Sequence, residues 1–239
     1  EHVVASERSG VVRRIAVARG DSVFEGEVLA AVEEREVDGV AAASAPSADL
    51  GSVRADLREV EERHALGRDA ARPEAVARRR KTSQRTAREN VDDLCDAGTF
   101  VEYAPLVVAA QRQRRTLDDL VKNTPADGLV AGIGRVNGAL FPAARARCVV
   151  LAYDYTVLAG TQGAQNHRKK DRMLELAARR RLPVVLFSEG GGGRPGDTDA
   201  LGIAGLDVPT FHTFSRLSAL VPLVAIISGF CFAGNAALL

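Results

Sequence analysis

Two stretches, Leu182–Phe187 (Leu-Pro-Val-Val-Leu-Phe) and Leu220–Ile227 (Leu-Val-Pro-Leu-Val-Ala-Ile-Ile), are apolar without alternation. A strand with one wet face alternates apolar and polar residues, so a run apolar on both faces fits a sheet covered by helices on both sides. Neither run approaches the ~20 apolar residues that span a bilayer, and the second contains Pro222. Each run leads into a glycine-containing turn and then a helix-like segment. Before the first run, Asn166–Arg181 places Met173, Leu174 and Ala177 at helical spacing. The implied architecture is α/β and layered, with function expected at the carboxyl ends of the strands.

Upstream, Asp127–Gly138 reads as a strand with an Asn-Gly turn signal and a return, and Arg147–Asp154 continues the sheet. Gln84–Cys95 is a helix with Val91, Leu94 and Cys95 facing inward and Gly98 as its stop signal. A further helix is expected over Leu106–Lys122, closed by Asn123-Thr124-Pro125. Residues 53–66 put Val53, Leu57 and Val60 on one face of a solvated helix that Pro73 breaks. Residues 35–52, rich in Ala, Ser, Gly and Asp with Pro46, have a linker composition. Near the start, Val12, Ile15 and Val17 alternate ahead of a Gly20-Asp21 turn, a hairpin pattern.

The formal net charge of +1 argues against a nucleic-acid binder. The basic run Arg78–Lys81 with Arg85 and Arg88 also lacks interleaved aromatic residues for base stacking. The three cysteines, Cys95, Cys148 and Cys231, are odd in number and widely spaced, which reads as free thiols in a reducing, cytoplasmic compartment and gives no metal-ligand pair. No signal peptide is visible and the first residue is not Met, so Glu1 reads as an internal position.

Two resemblances sharpen this reading. Glu1-His2 followed by an alternating strand, with Ser9–Leu29 behind it, resembles the second half of a biotinyl carrier domain. That register implies a biotinylated lysine just upstream of Glu1. In the rival first-half register, Glu36 occupies the lysine's place; the second-half register is adopted because it also explains Glu1-His2 and the end at Glu33-Glu34. From Lys81 to Leu239 the sequence resembles the first half of the carboxyltransferase component of biotin-dependent acyl-CoA carboxylases, a family with the crotonase fold. The matching pieces are Arg85–Asn90, Asp96–Glu102, Asp127–Gly132, Asp154–Val157, His167 with Lys170, Glu189–Arg194 and Gly229–Gly234.

The resemblance implies three segments: 1–34, half of an all-β barrel-sandwich carrier; 35–75, linker and helix; and 76–239, a truncated crotonase-like carboxyltransferase half. It implies a single-chain carboxylase that takes an acyl-CoA as substrate. ATP and bicarbonate would enter only through a biotin carboxylase domain outside this chain, and dimers would assemble to a hexamer. No membrane or nucleic-acid partner is expected.

The chemistry that the resemblance implies is carboxyl transfer to the α-carbon of the thioester through an enolate. Backbone N–H groups aimed at the thioester oxygen stabilise the charge that develops there, and glycine lets the backbone come close enough. Within Gly190–Gly193, alignment on Arg194 places the family's paired glycines at Gly191 and Gly192. The turn Phe232-Ala233-Gly234 is the second expected donor, with Ala233 standing where the family more often has glycine. Lys169 and Lys170, with Arg85 and Arg88, are the candidates for coenzyme A phosphates; a solvated helix face is the alternative for the two lysines. His167 is assigned a structural or solvent-facing role. The glycine run lacks the Gly-Lys-Ser/Thr of a phosphate loop.

Three other readings stay open: a crotonase-type hydratase or isomerase with Glu189 or Asp197 as base, a decarboxylase of malonyl-type thioesters, and a non-catalytic assembly module.

Overall fold

The computed structural model describes residues 6, 8–18, 20–36, 51–199 and 208–239. The chain divides into two units, Glu1–Ser52 and Val53–Leu239, so the segment expected as linker and helix is split between them. The opening Glu1-His2 and most of the expected linker, 37–50, lie outside the described residues.

In the first unit, β1 (Gly10–Ile15) pairs antiparallel with β2 (Ala30–Glu34), with a bulge between Val12 and Arg14. Arg8 and Arg13 pair with Glu34 and Glu33 across the two strands. Val12, Ile15, Phe24 and Val28 are exposed, so this hairpin shows an apolar face rather than a core of its own.

The second unit begins with α1 (Ala55–Leu66), which buries no side chain and leaves Val53, Leu57 and Val60 exposed. Pro73 opens α2 (Pro73–Lys81) as its first residue instead of breaking a helix. Proline has no N–H to lose at that position and its fixed φ suits a helix start. Helix α3 (Ala87–Leu94) is fixed at its start by a capping box: Thr86 accepts from the Glu89 N–H, and the Glu89 carboxylate accepts from the Thr86 N–H at 2.8 Å. Val91 and Cys95 are buried, as the helical spacing implies.

A short β3 (Val101–Glu102) follows, and then comes a departure from the sequence reading: α4 covers only Leu117–Asn123. Within 106–116 three backbone N–H groups find partners distant in sequence. Those of Arg112 and Gln113 donate to the Asp199 carboxylate, and that of Ala109 donates to Thr124 Oγ1. Thr116 then caps α4 by accepting from the Asp119 N–H.

The sheet has the order β3–β4–β5–β6–β7, with β4 (Leu129–Arg135), β5 (Arg147–Tyr153), β6 (Val184–Gly190) and β7 (Leu223–Cys231). Its first two pairings are antiparallel and its last two parallel. The return from β4 is delayed beyond the Asn137-Gly138 turn by α5 (Ala143–Ala146). Alternation along the strands sends Leu129, Ala131, Val149, Leu151, Val184 and Leu186 to one core, with Met173, Leu174 and Ala177 of α6 (Ala164–Arg180) and Leu217 of α7 (Thr210–Leu217). Val130, Val150, Ala152, Val185 and Phe187 face the other core, with Ala87 and Val91 of α3. β6 is buried along its whole length, the state its unbroken apolar run implies. β7, the last strand of this sheet, keeps Val224, Ile226, Ile227 and Phe230 exposed. It leads into α8 (Ala233–Ala236). No helix among the described residues is long and apolar enough to cross a membrane.

Candidate active site at two glycine turns

Because β6 and β7 are parallel neighbours, their carboxyl ends open side by side, and the two turns expected from sequence meet there. Gly190 has φ +91°, and a Cβ on it would lie 2.5 Å from the Ala159 carbonyl oxygen, so only glycine fits. Its carbonyl accepts from the Phe232 N–H at 3.0 Å, tying the first turn to the second. A Cβ on Gly192 would stand 2.6 Å from Ala233 Cβ and 3.1 Å from Gly234 N, so the turns are in van der Waals contact.

The N–H groups divide into used and unused. Gly191 N–H donates to Ala159 O at 3.1 Å. This corrects the expectation that Gly191 is a free oxyanion donor: its hydrogen bond is spent on fixing the turn. The N–H groups of Gly192, Ala233 and Gly234 have no acceptor among the described residues. Ala233 holds φ +46°, a left-handed conformation that costs an L-residue about 1–2 kcal/mol. Phe232 precedes it with its ring more than half exposed, stacked on Phe230 at 6.4 Å between centroids.

The glycine loop is anchored by Arg194, which is buried. Its guanidinium pairs with Asp127 at 2.5 Å and Asp197 at 3.3 Å and donates to Thr161 O at 2.8 Å. Burial raises the Asp127 carboxyl above the usual range, against the pull of Arg194. Asp197 also accepts from the Ala164 N–H at the start of α6 and from Gln111 Nε2, so it is held as a structural acceptor instead of standing free as a base. Glu189 is different. Arg79 donates to its Oε1 at 2.8 Å, its Oε2 has no hydrogen-bond partner among the described residues, and burial pushes its pKa up to about 7. It lines a cleft of about 500 Å³ together with Arg78, Gln84, Tyr155 and Phe230.

The expected coenzyme A contacts need correction. Lys169 and Lys170 are neither on a solvated face nor available to a phosphate: both are buried. Lys169 Nζ donates to Leu129 O at 2.6 Å, and Lys170 Nζ donates to Tyr153 Oη at 2.7 Å and Gln162 Oε1 at 2.8 Å. Burial lowers their pKa values to about 8 and about 7. Arg88 is likewise committed, forked onto Glu102 at 2.9 and 3.2 Å and donating to Gly67 O. Arg85 is exposed but paired with Asp93. His167 is buried against Thr210 Oγ1 at 2.9 Å, and desolvation lowers its pKa to about 3, which fits a structural role.

What the sequence did not disclose is a buried polar chain running from Lys170 through Gln162 to Asn235. A signal was present: Lys170 stands at i−3, i−4 and i−7 from Met173, Leu174 and Ala177, on the apolar stripe of α6 and not opposite it.

The family model for the carboxyl transferase domain matches residues 78–238. The propionyl-CoA carboxylase beta chain of Saccharopolyspora erythraea is 30% identical over 197 residues, covering 82% of this chain and 33% of the relative. A solved single-chain, multi-domain long-chain acyl-CoA carboxylase is 54% identical with a TM-score of 0.74, covering 99% of this chain and 22% of that one. The hexameric transcarboxylase 12S, solved with hydrolysed methylmalonyl-CoA bound, is 27% identical with a TM-score of 0.60, covering 76% of this chain and 33% of that one. The chain thus spans about a third of the length of the curated relatives it matches.

Proposed function

Because this chain belongs to the carboxyl transferase domain family, we propose that it supplies the acyl-CoA side of a biotin-dependent carboxyltransferase, with residues 76–239 as the first half of a crotonase-like domain. The observation that carries the proposal is the cluster of acceptor-free N–H groups of Gly192, Ala233 and Gly234, brought together at the ends of β6 and β7. Neutral donors of this kind bind a thioester oxygen weakly and its enolate strongly, which is the differential that lowers a barrier. The Arg194 anchor, the Gly191–Ala159 bond and the Gly190–Phe232 bond keep them aimed before substrate arrives.

Biotin supplies the activated carboxyl group when a carrier delivers it, and the residues of this chain act on the thioester. Residues 1–34 are part of the same proposal as half of a biotinyl-like carrier. A biotin carboxylase domain using ATP and bicarbonate, assembly through dimers to a hexamer, and a cytoplasmic location complete it. Full-length protein incubated with ATP, labelled bicarbonate and an acyl-CoA should fix label into a malonyl-type thioester, and avidin should block the reaction. Fixation that avidin leaves untouched, or no fixation with short or long acyl chains, would contradict the proposal.

A further inference from the structure

The two turns are joined by more than their mutual contact. Asn235 lies one residue beyond Gly234 and is fully buried. Its Nδ2 donates to Gly160 O at 2.9 Å and to Glu189 O at 2.6 Å, the second being the carbonyl immediately before Gly190. Its backbone carbonyl accepts from Ser188 Oγ at 3.1 Å. Its Oδ1 accepts from Gln162 Nε2 at 2.6 Å, and Gln162 Oε1 in turn accepts from Lys170 Nζ. Gln162 also grips the first turn through its backbone: its N–H donates to Gly192 O at 2.8 Å and its carbonyl accepts from the Arg194 N–H at 2.9 Å.

An amide side chain has one accepting and one donating end, so a row of two amides has a direction that something must set. Lys170 has N–H donors for Gln162 whether or not it is protonated. It therefore turns Gln162 Oε1 toward itself and Nε2 toward Asn235. Asn235 must then present Oδ1 to Gln162, which leaves Nδ2 for the two carbonyls. Reversing either amide would set oxygen against oxygen among fully buried side chains.

We propose, on the basis of the carboxyltransferase reading, that Lys170, Gln162 and Asn235 are positioning residues that hold the Gly192 turn and the Ala233-Gly234 turn in the one relative placement that serves the enolate. None of the three needs to touch substrate. Their effect is on the aim of the Ala233 and Gly234 N–H groups, two positions and one position before Asn235, and of the Gly192 N–H on the neighbouring turn.

The test uses full-length protein carrying Asn235→Asp or Lys170→Met. Asn235→Asp sets a carboxylate against two carbonyls, and Lys170→Met removes the donor that orients the row while keeping the side chain's bulk. Each folded variant should lose at least about tenfold in kcat with KM for acyl-CoA within about threefold, because aim matters more to the transition state than to the bound substrate. Hydrogen exchange in peptides covering 189–193 and 232–236 should quicken in both. Leu217→Ala, a cavity in the same core made from α7 and not from α6, is the control for general destabilisation. It should lower the unfolding temperature and leave kcat, measured well below that temperature, near wild type. If the wild type carboxylates acyl-CoA and either variant folds with kcat within about threefold of it, the positioning role is wrong. Loss of folding in both variants would also overturn it by assigning the row to stability. A wild type that fixes no carboxyl group would instead sink the carboxyltransferase reading itself.

Discussion

Gly192→Ala is the perturbation whose outcome the geometry specifies most closely. The new Cβ would sit 2.6 Å from Ala233 Cβ and 3.1 Å from Gly234 N. Carbon atoms rest about 3.5–4.0 Å apart, so the two turns must separate by ~1 Å. That displacement equals the difference between a good hydrogen bond to an oxyanion and a lost one. Losing one donor typically lowers kcat about a hundredfold to a thousandfold, ~2.7–4 kcal/mol. Gly191→Ala is the internal comparison, since its N–H is already bonded to Ala159 O and its Cβ would meet only Thr161 Cγ2 at 3.0 Å. It should cost about fivefold or less, ~1 kcal/mol. The double change Gly192→Ala with Ala233→Gly removes the closer clash and should regain about tenfold or more over Gly192→Ala alone, a coupling between residues in contact. Steady-state kinetics on the full-length protein, with unfolding temperatures in parallel, decides the matter. A Gly192→Ala enzyme within about threefold of wild type, ~0.7 kcal/mol, or a Gly191→Ala enzyme that is the more damaged of the two, would refute the reasoning.

Ala233→Gly alone relieves a left-handed alanine and should raise the unfolding midpoint by about 2–4 °C per kcal/mol recovered, read by calorimetry. Glu189 has its folded pKa raised to about 7 from 4.5, so its favourable contribution is complete below the unfolded value and is lost as pH rises through 7. Glu189→Gln should flatten that part of the stability profile in urea titrations. Lys170 has its folded pKa lowered to about 7 from 10.5. The unfolded chain therefore binds more protons between those values, and stability should rise with pH across that window in wild type and not in Lys170→Met. Arg194→Met leaves Asp127 and Asp197 without their cation and should cost about 3–5 kcal/mol, seen as loss of soluble protein or a lowered urea midpoint.

The sheet and its two terminal turns were legible because their signals are local. A run apolar on both faces and a glycine cluster after it are strand and turn signals, and β6, β7 and the two turns form where those signals put them; the burial expected for β7 is not found, since Val224, Ile226, Ile227 and Phe230 are exposed. The basic residues were not legible in the same way. Whether a lysine is solvated depends on which helix face the core covers, and the charge run Arg168–Lys170 outweighed the weaker sign that Lys170 continues the stripe of Met173, Leu174 and Ala177. Arg88 is taken up by Glu102, fourteen residues away on β3, a pairing that only the tertiary fold creates. The helix expected over Leu106–Lys122 fails in its first part, 106–116, for a similar reason: Asp199, distant in sequence, captures two of its N–H groups. Pro73 was ambiguous from the start, since proline both ends helices and begins them.

The central claim is that the substrate's thioester oxygen lies against Gly192, Ala233 and Gly234. A structure of the full-length protein with a bound acyl-CoA measures this directly. The account predicts the thioester oxygen at about 2.7–3.1 Å from Gly192 N and from Ala233 N or Gly234 N, with Gly191 N still bonded to Ala159 O. A thioester oxygen more than about 4 Å from both turns, or one held by Gly191 N after that bond has broken, would contradict it.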